Sequence, residues 1–139
     1  MNIRLLEQKN SRIESFEIIT LHTSGMRYSA DYEIVMKGDT AEVSQYQIRH
    51  RYPENERILE KRVSVSNAMV LKLLNECKLL SWDGFHGKHP RGVMDGTMFS
   101  LNAVVNDDKK ICADGSQNFP KHYKDFTDGL YEMLNEKNV

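Results

Sequence analysis

The side chains best suited to chemistry lie between residues 82 and 120. His86 and His89 stand three residues apart in a glycine-containing loop. Asp83, Asp95 and Asp114 each precede a glycine. Such histidines could bind zinc, and carboxylates in a cleft could act as general acid and base. Because zinc needs three or four converging ligands and Asp-Gly is ordinary turn chemistry, we expect turns and a polar loop, with no metal or other cofactor.

Motifs for nucleophilic catalysis and phosphate binding are absent from the sequence. It contains no Gly-x-Ser-x-Gly elbow, no Gly-x-x-x-x-Gly-Lys loop and no Gly-x-Gly-x-x-Gly turn. These absences favour a protein without catalytic activity, while an unfamiliar active site stays open.

An arginine-rich segment is the first candidate interaction surface. It comprises Arg49, Arg51, Tyr52, Arg57 and Arg62. Arginine beside aromatic residues suits a protein interface, and it can also hold phosphate and stack on bases. Three glutamates between residues 54 and 60 interrupt the segment and would repel a phosphate backbone. We expect an exposed hairpin with cross-strand ion pairs, with protein binding ranked above nucleic-acid binding through the basic 49–62 hairpin.

The second candidate is a pocket between the loops at residues 82–91 and 115–120. Loops held on a rigid scaffold often carry binding sites. The pocket would take a small ligand or support weak catalysis, and it predicts an apolar concavity with convergent polar groups. Its lining residues would be Trp82, His86, His89 and Asn118.

Alternating apolar and polar residues predict the strands that position these side chains. The predicted strands cover residues 15–22, 28–36, 41–50, 57–65, 97–105 and 109–113. The alternation slips between Val43 and Tyr46, which predicts a β-bulge near Ser44 and Gln45.

Helical spacing of apolar residues predicts two helices. The first is capped by Ser66 or Asn67 and ends near Ser81. The second begins at Pro120 and extends to Leu134. The element order is therefore β-β-β-β-α-β-β-α. It predicts a single α+β domain over residues 1–139, a two-layer sandwich with a mainly antiparallel sheet and both helices packed on one face.

Composition narrows the class of protein. The 139 residues are 40% apolar and carry a formal net charge of −1, so there is no global basic or acidic excess. Cys77 and Cys112 lie in apolar patterns, which predicts two buried thiols in a reducing compartment, with a disulfide between them as the alternative. Charges near the N-terminus do not fit a signal peptide, and no apolar run is long enough to cross a membrane. We expect a cytoplasmic protein without membrane association.

The segment from residue 80 to 134 resembles part of a family of small uncharacterised proteins from clostridia-like Gram-positive bacteria. The resemblance rests on Trp82-Asp83-Gly84-Phe85, Met94-Asp95-Gly96, Phe99-Ser100-Leu101, and the run Gly115…Asn118-Phe119-Pro120…Tyr123…Phe126. It implies a shared fold over about two-fifths of the chain. No activity is established for that group, so the resemblance implies no catalytic residue.

These observations predict a small non-catalytic binding or regulatory protein that engages a protein partner through a sheet edge or the basic hairpin. One version is an inhibitor of the immunity or anti-defence type from a mobile element or phage. The ligand pocket and nucleic-acid binding are the alternatives. The identity of the partner and the oligomeric state are not encoded in any motif.

Overall fold

The computed structural model describes residues 12–26, 28–94 and 96–135. Its strands are β1 (Phe16–Ser24), β2 (Ser29–Lys37), β3 (Thr40–Arg49), β4 (Glu56–Ser66), β5 (His86–Gly87), β6 (Met98–Val105) and β7 (Lys109–Ser116). Its helices are α1 (Asn67–Glu76), a 3-10 helix (Leu79–Trp82) and α2 (Tyr123–Asn135).

The strands form one seven-stranded sheet in the order β4-β3-β2-β1-β6-β7-β5. All neighbours are antiparallel except the short pair β5 and β7, which are parallel. Both α-helices pack against the sheet. The predicted α+β class, with a mainly antiparallel sheet and two helices, is therefore confirmed. The sheet face under the helices is called the helix face below, and the opposite face is called the open face.

The core lies between the helices and the helix face. Alternate residues of the central strands are buried there, as strand geometry requires. They meet the apolar stripes of the helices, and the largest fully buried side chains are Trp82 and Phe126. The other large ones are Ile13, Ile19, Leu21, Ile34, Leu74, Leu79, Leu101, Ile111, Leu130 and Val43.

Both α-helices are shorter than predicted, for a backbone reason. The predicted cap is present, since Ser66 Oγ accepts a hydrogen bond from the Met69 amide at 3.2 Å. However, α1 ends at Glu76 because Lys78 has a left-handed φ of 52°, and the chain then forms the separate 3-10 helix. Helix α2 begins at Tyr123 rather than at Pro120 because His122 has a φ of 71°. Left-handed residues interrupt a right-handed helix.

The predicted irregularity near Ser44 and Gln45 exists, but its extra residue lies in the neighbouring strand. The pairing of β3 with β4 shifts between Gln45 and Tyr46, so that Glu60 of β4 has no partner in the register. Pairing of β3 with β2 is continuous. Consequently Leu59 lies opposite Tyr46 on the open face, and not beside Val63 as the alternation predicts.

Two further predictions are corrected by the tertiary structure. Gly84 has a φ of +84°, as an Asp-Gly turn requires, but Gly115 lies inside β7. Cys77 is buried, whereas Cys112 is exposed on the open face, and both are free thiols. Asp95 of the third Asp-Gly pair lies outside the described residues.

No helix in the described ranges is both long and apolar enough to cross a membrane.

Candidate functional site

The open face carries a row of polar side chains that crosses the sheet. Register pairs connect one residue from each of six neighbouring strands at the same level. From β3 to β5 the row reads Tyr46, Asp31, His22, Ser100, Asp114 and His86. Each of its two aspartates contacts the Nδ1 atom of the histidine beside it. Among the described residues the helices pack only on the helix face, and the side chains of His22 and His86 in this row are 46% and 79% exposed.

On the open face, Arg57 of β4 reaches two carboxylates of β2 and one aromatic ring of β3. Its Nε atom donates to Asp31 Oδ2 at 3.2 Å, and its Nη2 atom donates to Glu33 Oε2 at 2.9 Å. The guanidinium carbon lies 3.7 Å from the centroid of the Tyr46 ring, in cation–π geometry. Two carboxylates and one aromatic ring therefore already satisfy this arginine.

Arg62 is satisfied in the same way. Its Nε atom lies 3.2 Å from Glu42 Oε1 and donates to Ser44 Oγ at 2.9 Å, while Nη2 donates to the Tyr46 hydroxyl at 2.8 Å. The cross-strand ion pairs predicted for the basic hairpin are confirmed. They also weaken the nucleic-acid interpretation, because phosphate would have to displace carboxylates from both arginines.

The remaining residues of the basic surface lie at one end of the sheet. Arg49 ends β3, Arg51 lies in the connection between β3 and β4, and Tyr52 in the same connection is completely exposed. Arg51 Nε lies 3.9 Å from Glu56 Oε2. The five residues predicted as one surface are therefore divided, with Arg57 and Arg62 on the open face and the other three at this end.

Several loops meet at that same end, because β1 ends there, β2 and β6 begin there, and Ser24 pairs with both Ser29 and Met98. These loops expose large apolar side chains. We call this set the loop-end surface: Met26, Tyr28, Tyr52, Met94 and Met98, with exposures of 71%, 52%, 100%, 94% and 55%. The Tyr28 hydroxyl contacts Thr97 Oγ1 at 3.5 Å and thereby connects two of the loops.

Trp82 does not line a binding pocket. It is 1% exposed, and its Nε1 atom donates to the Lys121 carbonyl at 3.1 Å. Its ring packs edge-to-face on Phe126, with centroids 5.5 Å apart, and against Tyr123 at 6.0 Å. The prediction that Trp82 lines a binding pocket is wrong, because helix α2 covers the ring and makes it part of the core.

The other three predicted pocket residues bond to neighbouring strands and loops. His86 Nδ1 contacts Asp114 Oδ1. His89 donates from Nε2 to the Val93 carbonyl at 2.5 Å and accepts at Nδ1 from the Ser116 hydroxyl at 2.8 Å. The Asn118 side-chain amide donates to the Lys88 carbonyl at 3.2 Å. Among the described residues, no group of three or more His, Cys, Asp or Glu side chains is arranged to hold a metal ion.

Sequence reasoning missed the pair His22 and Asp31. They are nine residues apart, and the hairpin of β1 and β2 makes them direct register partners. One signal was present: a turn at Gly25 between two alternating segments places polar residues of both on the same face. Counting outward from the turn would have paired them once the loop length was known.

Comparison with protein-family models, with curated proteins and with solved structures found no match to this chain. The geometry of its own surfaces is therefore the basis for assigning a function. Two features stand out: the apolar loop-end surface and the polar row on the open face.

Proposed function

We propose that the protein is a small binding or regulatory protein that engages a protein partner through its loop-end surface. The observation that carries the proposal is the exposure of Met and Tyr side chains at one end of the sheet, with Tyr52 and Met94 almost fully in solvent. Single exposed apolar residues are normal on a protein surface, but clustered ones mark interaction sites. Tyrosine, methionine and arginine are also the residue types enriched in interfaces.

The charge around this surface favours an acidic partner. Within the described residues of the loops at this end and of the strand ends that flank them, five cations stand against two carboxylates. The cations are Arg49, Arg51, Lys88, Arg91 and Lys121, and the carboxylates are Glu54 and Glu56. An excess of positive charge steers association with a negatively charged surface and weakens as salt is added. The partner is therefore a protein that presents acidic residues around an apolar patch.

Within this class, an inhibitor of the immunity or anti-defence type is the narrower proposal. Such a protein needs only a stable scaffold and one binding surface. The sheet, covered on one face by two helices, supplies the scaffold, and the loops at one end supply the surface. This narrower proposal depends on the identity of the partner, which the experiment below supplies.

The test compares two variants of the full chain as bait in an extract of the source cell. Tyr52→Ser with Met94→Ser removes the two most exposed side chains of the loop-end surface. Met36→Ser is the matched control, because Met36 is 41% exposed near the opposite end of β2. We expect a partner that the wild type and the control recover equally and that the double variant recovers at least tenfold less.

The recovered partner must also bind in a purified system, and its affinity should fall with rising salt. Equal recovery by the double variant would exclude the loop-end surface as the interface. Recovery of no partner above background by the wild type would count against the whole proposal.

A further inference from the structure

Three polar side chains at the loop end of the open face form a hydrogen-bonded chain. His22 Nδ1 lies 2.5 Å from Asp31 Oδ1, and His22 Nε2 lies 3.4 Å from Ser29 Oγ. Because a carboxylate only accepts, Nδ1 must carry the proton of the neutral ring, which leaves Nε2 to accept from the serine hydroxyl. This is the order of atoms in a serine nucleophile, a histidine base and an orienting aspartate.

The hairpin of β1 and β2 fixes this arrangement. His22 and Asp31 are register partners, and Ser29 stands two residues before Asp31, hence on the same face of β2. The hairpin is closed by a hydrogen bond from the Gly25 amide to the Tyr28 carbonyl at 3.0 Å. The second oxygen of Asp31 is held by Arg57 at 3.2 Å, so the carboxylate cannot turn away from the imidazole.

A cavity of about 500 Å³ borders on Ser29. Ser29 itself is 3% exposed, so a substrate would reach its hydroxyl through this cavity. The cavity is also lined by Tyr28, Arg49 and Arg51. The two guanidinium groups can attract an anionic substrate.

We propose that Ser29, His22 and Asp31 form a nucleophilic site that hydrolyses esters carrying a carboxylate or phosphate group. Ser29 Oγ attacks the ester carbonyl carbon while its proton passes to His22 Nε2. The bond to the alcohol oxygen breaks, and that oxygen takes the proton from His22. Water then attacks the acyl-serine, again with His22 as base, and the site releases a carboxylic acid and regains the Ser29 proton.

Asp31 acts through His22, since it holds the ring in the tautomer whose Nε2 is free to accept a proton and stabilises the imidazolium that forms. This activity goes beyond protein binding and does not depend on it. The experiments therefore use the purified chain alone, so their failure leaves the proposed interface untouched.

The first experiment treats the purified protein with a fluorophosphonate probe and measures the intact mass and the modified peptide. We expect a single adduct on Ser29. Ser29→Ala should abolish it. Ser44→Ala is the matched control, because Ser44 is also 3% exposed on the open face but contacts Arg62 and not a histidine. An unlabelled wild type, or an adduct at another residue, would overturn the proposal.

The role of His22 is tested by His22→Asn. Loss of a general base slows the reaction by about 10²–10⁴-fold, so we expect labelling at least a hundredfold slower with an unchanged far-UV circular dichroism spectrum. Labelling at the wild-type rate would show that Ser29 reacts without a base and would overturn the triad. Adduct mapping on the wild type decides the nucleophile even where a variant does not fold.

The substrate class is tested with two activated esters. We expect the wild type to hydrolyse mono-4-nitrophenyl succinate, which carries a carboxylate, at least tenfold faster than 4-nitrophenyl acetate. Arg49→Gln should reduce this preference, and an unchanged preference would count against binding of the substrate carboxylate by Arg49. Equal rates for the two esters in the wild type would overturn the assignment of an anionic substrate.

Discussion

Gly115 is required by close packing inside a strand, and its replacement by alanine tests that reasoning. A Cβ atom built on Gly115 would lie 2.7 Å from Phe99 Cε1 and closer still to the backbone carbonyl oxygen of Asn118. A Cβ on its register partner Gly87 would meet the same carbonyl. The glycine pair therefore allows the chain after β7 to cross directly over β5 and β7.

The expected cost follows from these distances. Ordinary contacts begin at 3.4 Å, so the Phe99 ring would have to retreat by about 0.7 Å and the Asn118 carbonyl by more. A backbone carbonyl cannot rotate away as the end of a side chain can. Overpacking of this kind costs about 1–3 kcal/mol, and for a chain of this length the melting temperature should fall by roughly 4–12 °C.

The fall in melting temperature of Gly115→Ala is measured by thermal unfolding, which is monitored by circular dichroism. Displacement of the segment after Asn118 should also loosen the bond from Trp82 Nε1 to the Lys121 carbonyl. Since Trp82 is the only tryptophan in the chain, its fluorescence emission should shift to longer wavelength in the folded variant.

Gly129→Ala is the matched comparison. Its Cβ would also meet a neighbour, but that neighbour is the end of the flexible Leu73 side chain. Alanine in a helix gains about 1 kcal/mol over glycine, which offsets the movement of Leu73. We expect a stability within about 1 kcal/mol of the wild type. The packing argument would be refuted if Gly115→Ala left the stability unchanged, or if both variants lost the same amount of stability.

Three further predictions concern a helix cap and the two thiols. Ser66→Ala should lower the free energy of unfolding by about 1 kcal/mol in urea titrations because the cap of α1 is lost, whereas Ser64→Ala on the exposed side of β4 should change it little. Ellman's reagent should modify Cys112 in the folded protein but Cys77 only after denaturation, and fast reaction of both thiols would contradict the burial of Cys77. Burial raises the pKa of Cys77 from 9.0 to about 11, so the free energy of unfolding should fall between pH 9 and 11, where only the unfolded chain ionises this thiol. The fall should be shallower in Cys77→Ala, and an unchanged slope in that variant would contradict the raised pKa.

The fold was predictable because its signals are local. Alternation gave the six long strands, and helical spacing with Ser66 as cap gave α1. Helix ends were less predictable. The left-handed residues after α1 and before α2 are Lys78 and His122, and neither is a glycine, the residue type that usually indicates this conformation. The two-residue strand β5 carries too few residues for any period, and only its pairing with β7 defines it.

The candidate sites were less predictable than the fold. The sequence identified Arg49, Arg51 and Tyr52 as surface residues, and the structure places Tyr52 fully in solvent. It could not show that Arg57 is already paired with Asp31, because the two are distant in the chain and meet only across the sheet. The exposed methionines of the loop-end surface were missed for the same reason, since methionine alone does not distinguish core from surface.

By itself the sequence determined the class of fold, the order of its elements and the chemical types available on each strand face. These properties depend on residues a few positions apart, whose period fixes which side chains share a face. Only the tertiary structure decided that Trp82 belongs to the core, that Gly115 faces a crossing backbone and that Ser29, His22 and Asp31 stand in a hydrogen-bonded chain. The physical reason is register: the pairing of strands converts separations along the chain into contacts of a few ångströms, and one residue of shift would disperse them.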